Sequence, residues 1–335
     1  MRISKSLAVC LAAAAMIAAG ALISLNGESK KAQTVQLVAM DCVCTVSALP
    51  ETDISEYTAL IRELDKSLSA YDEASDISRI NNATEPVSVS QSTERLIKRA
   101  VSLNEIYPHT DCTAGRLIDL WNVTGDNPVV PGEDEISAAL KTVGSRNIVF
   151  SDDGIALENG ARLNFGCCAK GFALDEVKKL LDKNDEKYAV ITFGSSSLVY
   201  GQKPDKTDFV TDIKNPGDPK ESALSFKSGQ CFISTSGGYE RFFVAQGKQY
   251  SHIFDLETGY PAETDLTSVT VISKTDGMLT DFLSTEIYIE GTKALGDYLD
   301  SKEFQIIALD EKNNIYCSES LRDSIEIKNP DFHFA

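Results

Sequence analysis

The chain has 335 residues, 42% of them hydrophobic, so it can bury a core and form one large domain or two modest ones. Its 50 acidic residues against 32 Lys and Arg leave a net charge of -18, which excludes nucleic-acid binding through a basic footprint. A phosphorylated ligand would need a local cation or a bound metal to screen these carboxylates.

Arg2 and Lys5 precede an uncharged apolar run from Leu7 to Leu25, and polar sequence follows at once. Residues 1–28 therefore read as an export signal or a single membrane anchor, which puts the remainder outside the cytoplasm, exported or anchored to the membrane. Residues 29–35 read as a linker to one domain over 36–335. Val35 to Ser47 alternates like a strand. Ile54 to Leu68 and Thr93 to Ile106 carry apolar residues at helical spacing, as does Lys170 to Leu181. Strand-like runs follow at Tyr188 to Phe193, Leu224 to Phe226, Cys231 to Thr235, Arg241 to Val244 and Ser268 to Ser273. Helical patterns return at Met278 to Ile289 and Lys293 to Leu299, before a last strand at Phe304 to Leu309. Without regular βαβ alternation, the expected class is α+β with a largely antiparallel sheet and packed helices.

Eight cysteines occur without paired CxxC units, so a zinc ribbon is not expected. Cys42 and Cys44 alternate like strand residues, and the neighbours Cys167 and Cys168 are not expected to bridge.

Asp281 and Thr285, four apart, share a helix face and offer hard oxygen ligands suited to Mg2+. Ordinary polar residues near a helix start would look the same. His252, one of three histidines, sits among strand residues, where a structural role competes with proton abstraction. Lys170 follows Asn164-Phe165-Gly166-Cys167-Cys168-Ala169. A glycine turn into a helix N-terminus with a lysine suits a phosphate, but it is not a Walker loop and also reads as a plain turn. Gly194 to Ser197 could admit a ligand close to backbone or simply turn the chain. Trp121 and Tyr71 could stack on a flat ring or pack in the core.

In order along the chain, these segments resemble the ApbE family over roughly residues 36 to 310. Met40 stands at the family's early Met-Gly-Thr. Leu68 to Tyr71 with Asp76 to Asn81 is similar to LSxYxxxSEISRLN. Asp111 to Gly115 with Leu117 to Trp121 is similar to DPTVGPLxxLW, and Asn164 to Gly171 to DLGGIAKG. Ser234 to Arg241 is similar to ATSGDYER. Ser251 to Asp255 with Thr258 to Pro261 is similar to SHIxDPxTGxP, and Asp281 to Thr285 to the family's metal helix. The chain departs at Asn164 (an Asp in the family), at Cys167-Cys168, and at Thr192 to Ser196.

The resemblance implies Mg2+-dependent transfer of the FMN moiety of FAD to a Thr or Ser hydroxyl of a target protein, with AMP released. Asp281, Thr285 and the Cys167 carbonyl would hold the metal. Met40, Tyr71, Thr113, Ala114, Gly115, Asn164, Lys170 and Ile253 would line the FAD site, with His252 as base. The partner implied is an acceptor protein with a Ser/Thr-Gly-Ala-Ser/Thr-like motif, an exported redox subunit or reductase, since this chain carries no such motif. Two alternatives share the sequence: an Mg2+-dependent FAD pyrophosphatase giving FMN and AMP, and a non-catalytic extracytoplasmic flavin-binding protein.

Overall fold

A computed structural model describes residues 32–335. The apolar run at 7–25 and the boundary at residue 28 lie outside the described residues. Among the described residues no helix is long and apolar enough to cross a membrane.

The chain opens with a hairpin, β1 (Gln33–Ala39) and β2 (Cys42–Ala48). The single strand expected over Val35 to Ser47 is therefore two, and the first begins inside the expected linker. The chain reverses at Met40 and Asp41, both at positive φ (52° and 56°). Asp tolerates this conformation, Met does not readily, and the Met40 N–H donates to Asp65 Oδ1 at 2.6 Å, which helps hold the bend. Helices α1 (Ile54–Leu68), α2 (Asp76–Asn82) and α3 (Gln91–Ile106) follow. Each begins where an Asp or Ser side chain accepts from a first-turn N–H: Asp53, Ser75 and Ser90. Short helices α4 (Gly115–Trp121) and α5 (Glu133–Leu140) precede a small hairpin, β3 (Ile148–Ser151) and β4 (Gly154–Leu157).

Helix α6 (Ala169–Lys183) leads into β5 (Tyr188–Phe193), β6 (Ser196–Gly201), β7 (Phe209–Asn215), β8 (Asp218–Ser228) and β9 (Cys231–Ser236). A separate ribbon, β10 (Phe242–Ala245) and β11 (Lys248–Ser251), comes before β12 (Leu266–Ser273). Helices α7 (Gly277–Glu290) and α8 (Leu295–Leu299) are followed by β13 (Gln305–Asp310), β14 (Asn314–Cys317), β15 (Ile325–Ile327) and β16 (His333–Phe334).

The main sheet runs β1-β2-β5-β6-β9-β12-β13-β14-β16, antiparallel except for the last pair. The α+β class with a largely antiparallel sheet holds. Both faces of the central strands are apolar. Ile191, Phe193, Leu198, Phe232, Val271 and Ile306 meet the helices. Their neighbours Val190, Val199, Ile233, Ile272 and Ile307 meet the sheet β15-β8-β7. Alternation is masked when both faces are covered, which is why these strands read as continuous apolar runs.

Candidate active site

The geometry starts where α6 crosses α7. A Cβ on Gly171 would stand 2.2 Å from the Gly277 carbonyl oxygen and 2.8 Å from Asp281 Cβ, and one on Gly277 would stand 2.7 Å from the Gly171 carbonyl oxygen. Only two glycines permit this approach. Asp175 of α6 locks it, accepting from the Gly277 and Met278 N–H groups at 2.7 and 2.9 Å. The crossing brings the buried Asp281 against the start of α6. Its Oδ2 accepts from the Gly171 N–H at 3.0 Å, and its Oδ1 accepts from the Ser196 hydroxyl at 2.9 Å. Gly171 lies in the first turn of α6, where N–H groups have no acceptor within the helix, and Asp281 supplies one.

Lys170 places its Nζ 3.5 Å from Asp281 Oδ1 and donates to the Gly166 carbonyl at 3.3 Å. Burial works against the charge on Lys170, but the Asp281 carboxylate, with Cys42, outweighs it and raises the Lys170 pKa. One turn beyond Asp281, the Thr285 hydroxyl lies 3.2 Å from Ser236 Oγ. Asp281, Thr285 and the Cys167 carbonyl are a hard-oxygen donor set with one formal charge. Among the described residues no three His, Cys, Asp or Glu side chains form a metal cage. Such a set fits Mg2+, which keeps positions for water and substrate phosphates, better than it fits an ion needing an all-protein shell.

His252 follows β11 directly, and Arg241 precedes β10. The His252 N–H donates to the Arg241 carbonyl at 3.1 Å, and the ring Nδ1 lies 3.1 Å from the same oxygen. A carbonyl only accepts, so Nδ1 carries the hydrogen and Nε2 presents its lone pair. Burial, then the Arg241 guanidinium and Lys170, push the His252 pKa down to about 4, against the opposing pull of the Arg241 carbonyl. The ring keeps partial solvent contact. At neutral pH it is an uncharged acceptor.

Met40 sits in the first hairpin turn, and the Arg241 guanidinium donates to the carbonyl of its neighbour Asp41 at 3.1 Å. Tyr71 is largely exposed; its hydroxyl donates to Asp119 at 3.3 Å and accepts from Asn164 Nδ2 at 3.4 Å. Asp119 also binds Arg162 at 2.5 Å. Asn164 Oδ1 accepts from the Gly166 N–H at 2.9 Å, so this amide shapes the loop toward Cys167. Asn164 and Lys170, at the two ends of one loop, thus link the Tyr71 corner to the Asp281 corner.

Four expected liners are used differently. The Thr113 hydroxyl donates to Asp111 at 2.7 Å and accepts from the Gly144 N–H at 2.7 Å, fully buried. Ala114 is buried beside Arg162, and the Gly115 N–H donates to the Arg162 carbonyl at 2.9 Å. Ile253 is core, its carbonyl accepting from the Ala262 N–H at 2.8 Å. These four residues can act on a ligand through backbone placement; the Thr113 hydroxyl is already committed. Trp121 is also core: its indole N–H donates to the Gly259 carbonyl at 3.0 Å, and its ring packs 5.4 Å from Tyr250. The Cys167 and Cys168 side chains hydrogen-bond to each other as free thiols.

Sequence reasoning missed Ser196, which orients Asp281, and Arg241, which fixes the His252 tautomer through its carbonyl. Ser196 opens β6, three residues past the end of β5, inside the Gly194 to Ser197 segment that was read as a backbone approach or a turn, and its partner lies 85 residues away. Arg241 could have been noticed as a cation in an acidic chain, eleven residues before the candidate base.

The sequence model of the ApbE family matches residues 40–309. A Vibrio cholerae protein named FAD:protein FMN transferase is 26% identical over 326 residues, covering 92% of this chain and 97% of that one. A Treponema pallidum protein of the same name is 29% identical over 260 residues, 71% of each chain. The crystal structure of the ApbE protein from Thermotoga maritima superposes with a TM-score of 0.80 at 29% identity, covering 88% of this chain and 99% of that one. The flavin transferase ApbE from Vibrio cholerae shares the fold, with a TM-score of 0.76 at 24% identity, covering 88% and 99%.

Proposed function

Since the chain belongs to the ApbE family, we propose that it moves the FMN half of FAD onto a Thr or Ser hydroxyl of a second protein in an Mg2+-dependent step that releases AMP. FAD:protein FMN transfer is the activity named for the curated relatives, and the protein is accordingly a transferase. The observation that carries the finer chemistry is the grouping of a fixed carboxylate, Asp281, a cation, Lys170, that pairs with it, and a tautomer-locked imidazole, His252, that feels the charge of the same lysine.

Asp281, Thr285 and the Cys167 carbonyl would hold Mg2+, which supplies charge neutralisation at the diphosphate when bound. Lys170 and the Arg241 guanidinium offer further positive charge to phosphate oxygens. His252 Nε2 takes the proton from the acceptor hydroxyl. The hydroxyl oxygen then bonds to the FMN phosphorus as the phosphoanhydride bond to AMP breaks, and AMP carries away the electron pair. General-base help of this kind contributes about 10²–10⁴ in rate. Tyr71, Asn164 and the backbone of Met40, Thr113 to Gly115 and Ile253 would place the flavin. The acceptor would be an exported protein with a Ser/Thr-Gly-Ala-Ser/Thr-like motif, met outside the cytoplasmic membrane; the apolar run at 7–25 supports that location.

The test is incubation of the protein with FAD, Mg2+ and an acceptor containing that motif, followed by intact mass of the acceptor and chromatography of nucleotides. One FMN phosphate ester per acceptor with one AMP released is expected. AMP release with an unmodified acceptor would make the protein a pyrophosphatase.

A further inference from the structure

The ribbon β10–β11 is a two-stranded sheet of its own. Its register pairs Phe242 with Ser251, Phe243 with Tyr250, Val244 with Gln249 and Ala245 with Lys248, around a two-residue turn with Gln246 and Gly247 at positive φ. In such a hairpin the pair flanking the turn is hydrogen-bonded, and bonded and non-bonded pairs then alternate. Ala245 and Phe243 thus point their N–H and C=O groups at β11, and so does Arg241, as its bond from His252 N–H attests. The N–H and C=O groups of Phe242 and Val244 point the other way, along an edge that no strand occupies among the described residues.

The same two residues expose their side chains, Phe242 by 45% and Val244 by 62%. An edge strand reading Phe-Phe-Val-Ala has none of the charges, prolines or bulges that normally protect such edges. The ribbon is firmly mounted: Phe243 stacks on Tyr250 at 5.2 Å, and Tyr250 packs on the buried Trp121. What is open is therefore rigid. The ribbon is also continuous with the site, because Arg241 and His252, which flank its two strands, bond to each other.

We propose that the acceptor protein docks by adding an extended segment to the free edge of β10, so that the residue running past Arg241 brings its hydroxyl to His252. This rests on the transferase reading, which requires a protein chain to reach that imidazole. The added strand lies two strand spacings from β11, about 9.6 Å, so at about 3.3 Å per residue about three residues past the level of Phe242 span the approach to the base. Backbone pairing with Phe242 and Val244 supplies affinity that does not depend on side-chain identity. The exposed Phe242 and Val244 side chains select an uncharged, β-branched or apolar segment next to the acceptor residue.

The experiment uses full-length protein and a synthetic peptide in which alternating Val and Thr residues adjoin Thr-Gly-Ala-Thr. Val244→Pro removes an outward N–H and no ribbon bond, a position where an edge strand tolerates proline. The expected result is a fall of about tenfold or more in kcat/KM for the peptide, carried by KM, with FAD affinity unchanged. Independently of that variant, saturating peptide should slow hydrogen exchange at the Phe242 and Val244 amides of the wild-type protein loaded with FAD and Mg2+. Wild-type KM in Val244→Pro, or unchanged exchange at those two amides under saturating peptide, overturns the docking edge alone. A wild-type protein that releases AMP from FAD and never modifies the peptide removes the transferase reading, and this proposal with it.

Discussion

Gly171→Ala tests whether the α6–α7 crossing positions the carboxylate. The added Cβ would stand 2.2 Å from the Gly277 carbonyl oxygen, where ordinary contact begins at 3.4 Å. The helices must part by about 1 Å, a strain of the kind that costs about 1–3 kcal/mol in a packed interior. Nothing flexible can yield, since the neighbours are backbone and Asp281 Cβ. The sign is diagnostic, because Gly→Ala at an unstrained helical position stabilises by about 0.4–1 kcal/mol. The same displacement moves Asp281 off the Gly171 N–H and the Ser196 hydroxyl, and a shift of about 1 Å in a catalytic group costs about 10²-fold in rate. Urea unfolding measures the first effect, and single-turnover transfer at saturating FAD measures the second. A Gly171→Ala protein more stable than wild type and fully active would refute the assignment of the crossing as the device that places Asp281.

Asp281→Ala should abolish transfer at low Mg2+, because Thr285 and a carbonyl are a poor remaining set for this ion; wild-type rate in a magnesium titration would sink the metal assignment. His252→Ala should lower the single-turnover rate by about 10²–10⁴ while FAD affinity falls little; weak binding with normal turnover at saturation would instead make His252 a packing residue. In the free protein the His252 pKa is pushed down to about 4, so the imidazole loses its base function only as pH falls through that region. The acid limb of kcat/KM should therefore lie near pH 4, and a limb at the ordinary histidine pKa near 6.5 would contradict this electrostatic account. Deletion of residues 1–28 should release an active protein into the soluble fraction; an insoluble, well-expressed product would mean that the apolar run belongs to the fold.

Helical periodicity made α1, α3, α6 and α7 readable from sequence, and the Asp281/Thr285 spacing followed from the last of them. The Met40–Asp41 turn was not readable, because its positive φ values are held in part by Asp65, 25 residues away in sequence, and not by a local Gly or Asn. Strand β6 was overlooked for a related reason: it is buried along almost its whole length between partners and carries no alternation of its own. Cys167 shows the limit for the site. Its carbonyl was assigned only through the family resemblance; nothing in the local sequence shows that this carbonyl lies before the N-cap Cys168, outside the helical ladder. Thr113 shows the reverse, a family-motif residue whose hydroxyl is satisfied inside the scaffold.

The most direct test of phosphoester transfer is a single turnover in water enriched in oxygen-18, with FAD, Mg2+ and a threonine-bearing acceptor, followed by mass analysis of every phosphorus-containing product. Attack by the acceptor hydroxyl at the FMN phosphorus predicts oxygen-18 in neither the acceptor-bound FMN nor the released AMP. Oxygen-18 in free FMN would identify water as the nucleophile, and oxygen-18 in AMP would put the attack at the other phosphorus; either result would contradict the account.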